Sequence, residues 1–250
     1  MSADLQKADV WKRIAAWLLD MMLVCVLAVG VGALLSWLLG YNGKMQQFET
    51  GYNSYMEQYE LLDVDIYNPA NGDEQERIAQ AEQAMLQDIQ LCRLKDQLQN
   101  LMLLIVTFAL FIALLLLEFV VPLLMKNGQT IGKKVFSLGL VRVDGVRVGT
   151  FQLFVRAVLG KFTIETMVPV YAVVLGIGGA MGLAGVILLG GLAVCQIICV
   201  AATKYNCALH DQMSGTAVVD LSSQRIFSSS EELIAYTKRI HAEEANRKEY

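Results

Sequence analysis

Proline is scarce in this 250-residue sequence, with three residues in all, and charge is thin at 18% of positions. The first shortage leaves little composition for a long disordered linker. The second, set beside an apolar content of 55%, excludes an ordinary soluble domain, which carries about 25% charge. Basic excess is missing too: 20 Lys and Arg oppose 24 Asp and Glu, a net charge of −4, so no global field invites nucleic acid. Histidine is limited to His210 and His241, the latter in a polar C-terminal stretch, and no Ser–His–Asp arrangement follows from them. Five scattered cysteines (Cys25, Cys92, Cys195, Cys199, Cys207) do not form a disulfide framework. Cys207-x-x-His210 is half a metal site without a second half. Gly128-x-x-x-Gly132-Lys133-Lys134 falls one residue short of a phosphate loop and lacks the following Ser or Thr. The expectation is therefore a protein that is not an enzyme and holds no metal or cofactor.

What the sequence does have is long apolar runs, and a membrane helix needs about 20 such residues. The runs are 14–39, interrupted by Asp20; 101–125, interrupted by Glu118 and Pro122; and 163–203, whose one charge is Glu165. A single helix over the last would be about 60 Å long, twice the hydrocarbon thickness, so it must fold back. The glycine-rich stretch from Gly176 to Gly182 is the natural break. This predicts membrane helices at 14–39, 101–125, 163–177 and 183–203, with the third short or re-entrant. No cleavage site follows the first run, which is read as a retained span.

Loop charge orients the chain. Segment 126–162 holds seven basic residues and one acid, whereas 41–97 holds four basic residues and eleven acids. The positive-inside rule then puts 126–162 in the cytoplasm with 1–13 and the tail 204–250, and 41–98 outside, in a multi-pass cell-membrane protein. In 41–98, Phe48, Tyr52, Tyr55, Tyr59 and Leu62 fall on one helix face. A turn at 68–72, an Asp73…Glu76 capping box and a second stripe through Ile78, Ala81, Met85 and Ile89 complete a helical hairpin. Its stripes pack on each other or dock a protein partner. In 126–162, Asp144-Gly145 suits a tight turn that would set Val143 opposite Val146, Arg142 opposite Arg147 and Val141 opposite Val148. Two facing arginines are eased by an anion, and lipid phosphate is the local supply, so Arg142, Arg147 and Arg156 are candidates to hold it. Phe151, Phe154, Val155, Val158, Leu159 and Phe162 then line a short interfacial helix. The fold class expected is an all-α polytopic membrane protein with four membrane helices, an extracytoplasmic helical hairpin extension and a small cytoplasmic β-hairpin.

Ionisable residues inside a membrane usually face the protein interior and mark function. Asp20 and Glu118 are such residues; Glu165 lies near an end of its run and reads as interfacial. Arg13 precedes Asp20 by seven residues, nearly two turns, so both project from one face about 10.5 Å apart along the axis. A third charge would bridge them better, and Asp211, just past the last span, offers one.

Arg13, Asp20 and Asp211, the last inside His210-Asp211-x-x-Ser214-Gly215-Thr216, resemble the arginine and two aspartates for which the RDD family of membrane proteins is named. Gly128-Gln129-Thr130-Ile131-Gly132-Lys133 is similar to that family's Gly-Gln-Thr-x-Gly-Lys element, followed by Arg156. The resemblance covers roughly 8–40 and 100–220; the segment 41–98 is longer than is typical. It implies a membrane fold and, from members associated with Na⁺(Li⁺, K⁺)/H⁺ antiport, transport of a monovalent cation against protons. Asp20, Glu118 and Asp211 would be the ion or proton site and Arg13 their charge partner. Alternatively Arg13, Asp20 and Asp211 form a fixed polar lock that holds helix one to the cytoplasmic face. The alternative function is a membrane adaptor that binds a protein partner through 41–98. Four spans make a small pathway, so transport points to a homo-oligomer; Ala28-x-x-x-Gly32 and Gly178-x-x-x-Gly182 are close-contact motifs that serve either its interface or packing within one chain.

Overall fold

Among the described residues four helices are long and apolar enough to cross a membrane: Val10–Leu38, Ile89–Leu124, Thr150–Gly176 and Leu183–Ala202. They belong to a computed structural model that describes residues 5, 8–125, 127–177 and 183–248. In chain order the elements are α1 (Val10–Leu38), α2 (Tyr41–Gln58), α3 (Gly72–Gln87), α4 (Ile89–Leu114), π-helix π1 (Leu115–Val120), α5 (Val121–Leu124) and α6 (Ile131–Val135). There follow β1 (Leu138–Arg142), α7 (Thr150–Phe154), π-helix π2 (Val155–Met167), α8 (Val168–Ile177), α9 (Leu183–Ala202), α10 (Leu209–Ser214), β2 (Thr216–Asp220) and α11 (Ser230–Lys248). The chain divides into two compact units, Met1–Leu27 with Leu110–Tyr250, and Ala28–Ala109.

The third span corrects the sequence reading. The expected interfacial helix and the short helix from 163 are one continuous helix from Thr150. Nothing between 154 and 168 breaks it, since neither proline nor a turn sequence intervenes. Glu165 thus sits well inside a span rather than at its end. Of the glycine-rich break, 178–182 lies outside the described residues; α8 ends at Ile177 and α9 begins at Leu183 on either side of it.

The sheet of the first unit also departs from expectation. β1 pairs antiparallel with β2, 74 positions further on, with Leu138 opposite Asp220 and Arg142 opposite Thr216. Leu138 and Leu140 with Val218 pack on Ala8, Ala16, Val148 and Leu153. Val141, Ala217 and Val219 turn the other way, onto Leu5 and Cys207. Both faces are covered, so the strands read as apolar runs. The turn after β1 has a register different from the expected one. The Arg142 N–H donates to the Val146 carbonyl, the Gly145 N–H donates to the Arg142 carbonyl, and Val141 bridges Arg147. Gly145 alone in this loop has positive φ, at 86°. A type I′ turn would need it at both central residues, so the loop takes three residues, with glycine last. Arg142 and Arg147 are therefore not opposite one another. The stretch expected as a plain polar tail supplies α10 and β2 before reaching α11.

In the second unit the apolar stripes of α2 and α3 pack on each other. Met56, Leu61 and Ala81 form a buried cluster flanked by Tyr52, Tyr59, Ile78 and Met85. The helix ends differ from the reading in three places. α2 stops at Gln58, Glu60 turns the chain with φ 55°, and Leu61 enters the core while Leu62 is exposed. Asn71, not Asp73, caps α3: its side chain accepts from the Glu74 N–H, and Glu74 reaches back to the Ala70 N–H. Asp88 interrupts the second stripe in extended conformation and caps α4 by accepting from the Gln90 and Leu91 N–H groups. Gly32 lies against Ala109 and Ile105 of the same chain.

Candidate functional site

Asp20 faces inward from α1 and is buried. Its partner is the 128–135 element, and each position there has a task. Gly128 turns the chain at φ 59°. The Gln129 side chain donates to the Leu138 carbonyl at 2.7 Å, which ties the element to β1. Thr130 is the N-cap of α6, accepting from the Lys133 N–H. Its hydroxyl donates to Asp20 Oδ2 at 2.5 Å, and the Gly132 N–H donates to Asp20 Oδ1 at 2.7 Å. The carboxylate thus satisfies a backbone donor that the first turn of a helix leaves open. Glycine at 132 is required because a Cβ there would collide with the Ala16 carbonyl oxygen and stand 2.9 Å from Asp20 Cγ. Lys133 turns inward, with Nζ 3.4 Å from Thr130 Oγ1.

Asp211 is the second centre and is fully buried, at 0% exposure. Oδ1 pairs with the guanidinium of Arg156. Oδ2 accepts from the Ala208 N–H at 3.0 Å and from Arg13 Nη2 at 3.4 Å. Arg13 also donates to the carbonyls of Asn206 (2.5 Å) and Tyr205 (3.3 Å), closing the chain just past the end of α9. Arg156 further reaches Thr216 Oγ1 at 3.1 Å and His210 Nε2 at 3.0 Å. Arg13 and Asp211 therefore meet, while Asp20 occupies a separate niche built by the 128–135 element.

Two more glutamates complete the cluster. Glu118, in π1, is buried and pairs with Lys161 of π2. Glu165, also in π2, receives His210 Nδ1 at 2.8 Å on each oxygen, the His210 N–H at 3.2 Å and Gln196 Nε2 at 3.3 Å. Gly160 lets π2 approach α10, since a Cβ there would lie 2.5 Å from His210 Cβ.

The site is close to electroneutral. Asp20, Glu118, Glu165 and Asp211 face Arg13, Lys133, Arg156 and Lys161. Two groups of the cluster that lie outside the spans, Lys133 and His210, are shifted. Burial, reinforced by nearby Arg156 and Lys161 and opposed by Glu118 and Asp20, pulls Lys133 down to about 7. Burial, with Arg156 as the next cause, holds His210 well below 6.5, so it is neutral at physiological pH.

Of the arginines expected to hold lipid phosphate, Arg156 is corrected: it is 3% exposed and spent on Asp211. Arg142 pairs with Asp144 at 2.7 Å. Arg147 is exposed and borders a cavity of about 210 Å³ lined by Pro122, Gly149 and Thr150. Sequence reasoning missed Thr130, Lys133, Lys161, His210 and Thr216 as site residues, and gave Glu165 no role in the site. One signal could have found both π segments: Leu117-Glu118-x-x-Val121-Pro122 recurs as Ile164-Glu165-x-x-Val168-Pro169.

Comparison with known proteins agrees with this architecture. No curated protein matches the chain, and no solved structure does. The RDD family profile matches residues 7–215, which span all four membrane-length helices, both aspartates and the 128–135 element. The chain belongs to the RDD family of membrane proteins.

Proposed function

We propose that the chain exchanges a monovalent cation for protons across the membrane, with the buried charge cluster as the exchange site. The observation that carries this reading is Lys133, a buried lysine hydrogen-bonded to the same threonine that holds Asp20. Its pKa near 7 lets it change charge at physiological pH. With Lys133 protonated, the four acids and four bases balance. When it gives up its proton the cluster is left with one excess negative charge, which an alkali cation offsets. Reprotonation expels that cation, so one proton moves against one cation. The positive-inside count supports a cytoplasmic exit for this face.

The test is purified full-length protein in liposomes loaded with a pH-sensitive dye. Pulses of Na⁺, K⁺ or Li⁺ are expected to dissipate an imposed pH gradient. Lys133→Arg, which keeps the charge but cannot titrate near neutrality, and Asp20→Asn are each expected to cut that response about tenfold or more. A wild-type protein silent to all three cations overturns the reading.

A further inference from the structure

The two π segments have the same grammar. In an α-helix the Leu117 carbonyl would accept from the Val121 N–H, but that N–H donates one residue further back, to the Leu116 carbonyl. The π-helical donor for Leu117 would be residue 122, which is proline and has no N–H. The same argument holds 47 residues later. The Val168 N–H goes to the Thr163 carbonyl, and residue 169, the remaining donor for Ile164, is proline. Each site therefore releases one backbone carbonyl from the helical ladder, in the peptide that joins it to a glutamate. A carbonyl freed at membrane depth needs a substitute partner, from a neighbouring group, ordered water or a bound ion.

The copies differ in what surrounds the glutamate. Glu165 is held by hydrogen bonds from the His210 ring, the His210 N–H and Gln196, with no ammonium group paired to it among the described residues. Glu118 is held by an ammonium group, that of Lys161. An ammonium and an alkali cation are alternative counter-charges for one carboxylate. We infer that the Leu117 carbonyl and the Glu118 carboxylate are ligands of an alkali-cation site, with Lys161 as the built-in competitor. The matching site at Ile164 and Glu165 is closed by its own hydrogen bonds. The inference deepens the exchange reading and rests on it for its substrate class. Hard oxygen donors, one charged and one neutral, suit Na⁺, Li⁺ or K⁺. Charge stays balanced when the cation enters with Lys133 neutral.

The experiment measures cation-dependent melting of the full chain in detergent, by titrating NaCl, KCl and LiCl against choline chloride, alongside the liposome assay. At least one alkali cation is expected to raise the melting temperature of the wild type. Glu118→Gln should abolish that rise. Pro122→Ala restores an N–H to this turn and should increase the half-saturating concentration about tenfold, the effect of losing one oxygen ligand. Pro169→Ala relaxes the sister segment in the same way and should leave half-saturation within about twofold. Lys161→Gln removes the competitor and should lower it, which keeps the test decisive if a proline variant does not fold. Cation-dependent melting that all four variants leave unchanged overturns the site, as does Pro169→Ala acting as strongly as Pro122→Ala. Exchange in liposomes that is indifferent to Glu118 and Pro122 overturns the site but not the exchange. Melting that follows these expectations without transport overturns the exchange but not the site.

Discussion

At the scale of single residues, the two arginines on Asp211 are not equivalent. Arg156 is buried with the carboxylate, whereas Arg13 lies at 3.4 Å and shares its donors with two backbone carbonyls. Removing one partner of a buried pair strands the other charge, at a cost of about 3–5 kcal/mol. Arg156→Ala is therefore expected to lower the detergent melting temperature much more than Arg13→Ala. Equal losses would show that the two arginines compensate the acid alike. This pair was half legible in the sequence. Arg13 and Asp211 were visible because each interrupts or borders an apolar run. Arg156 was misassigned because periodicity reveals that a helix has two faces but not which solvent each one meets. Here Phe151, Phe154 and Leu159 are exposed while Arg156 is buried, the inverse of a soluble helix. Lipid accepts the aromatic side, and the protein interior takes the charges.

At the scale of elements, the short α6 positions Asp20, and its fit against α1 is tight at one atom. Gly132→Ala would drive a methyl group into the Ala16 carbonyl, which a packed helix backbone cannot vacate. The expected penalty is about 1–3 kcal/mol, the usual cost of overpacking. It should appear as a lower melting temperature and as reduced exchange like that of Asp20→Asn. A variant with wild-type stability would mean that α6 can slide along α1. The element itself was readable as Gly-Gln-Thr-x-Gly-Lys, but its role was not: a cap is local in sequence, while the carboxylate it meets is 112 positions away. The β1–β2 pairing was missed for the same reason. Asp-Gly signals a turn between neighbours, and nothing local announces a strand that pairs across two membrane helices.

For the whole molecule, the buried charges make stability depend on pH in a definite direction. Lys133 has a folded-state pKa of about 7 and an ordinary value of 10.5. Between those values the unfolded chain binds a proton that the folded chain does not, so stability rises with pH across that window. His210 is shifted down as well, so stability falls as pH drops below 6.5. Melting temperature in detergent is expected to climb from pH 7 to 9, and Lys133→Met should flatten that climb. His210→Gln should flatten only the acid side. A wild-type profile that falls from pH 7 to 9 would contradict a neutral buried lysine.

The bond between Arg13 and Asp211 joins residues 198 positions apart. At about 5–20 residues per second, Arg13 is synthesised roughly 10–40 s before its carboxylate partner. For that interval the guanidinium is without the carboxylate that holds it in the finished fold.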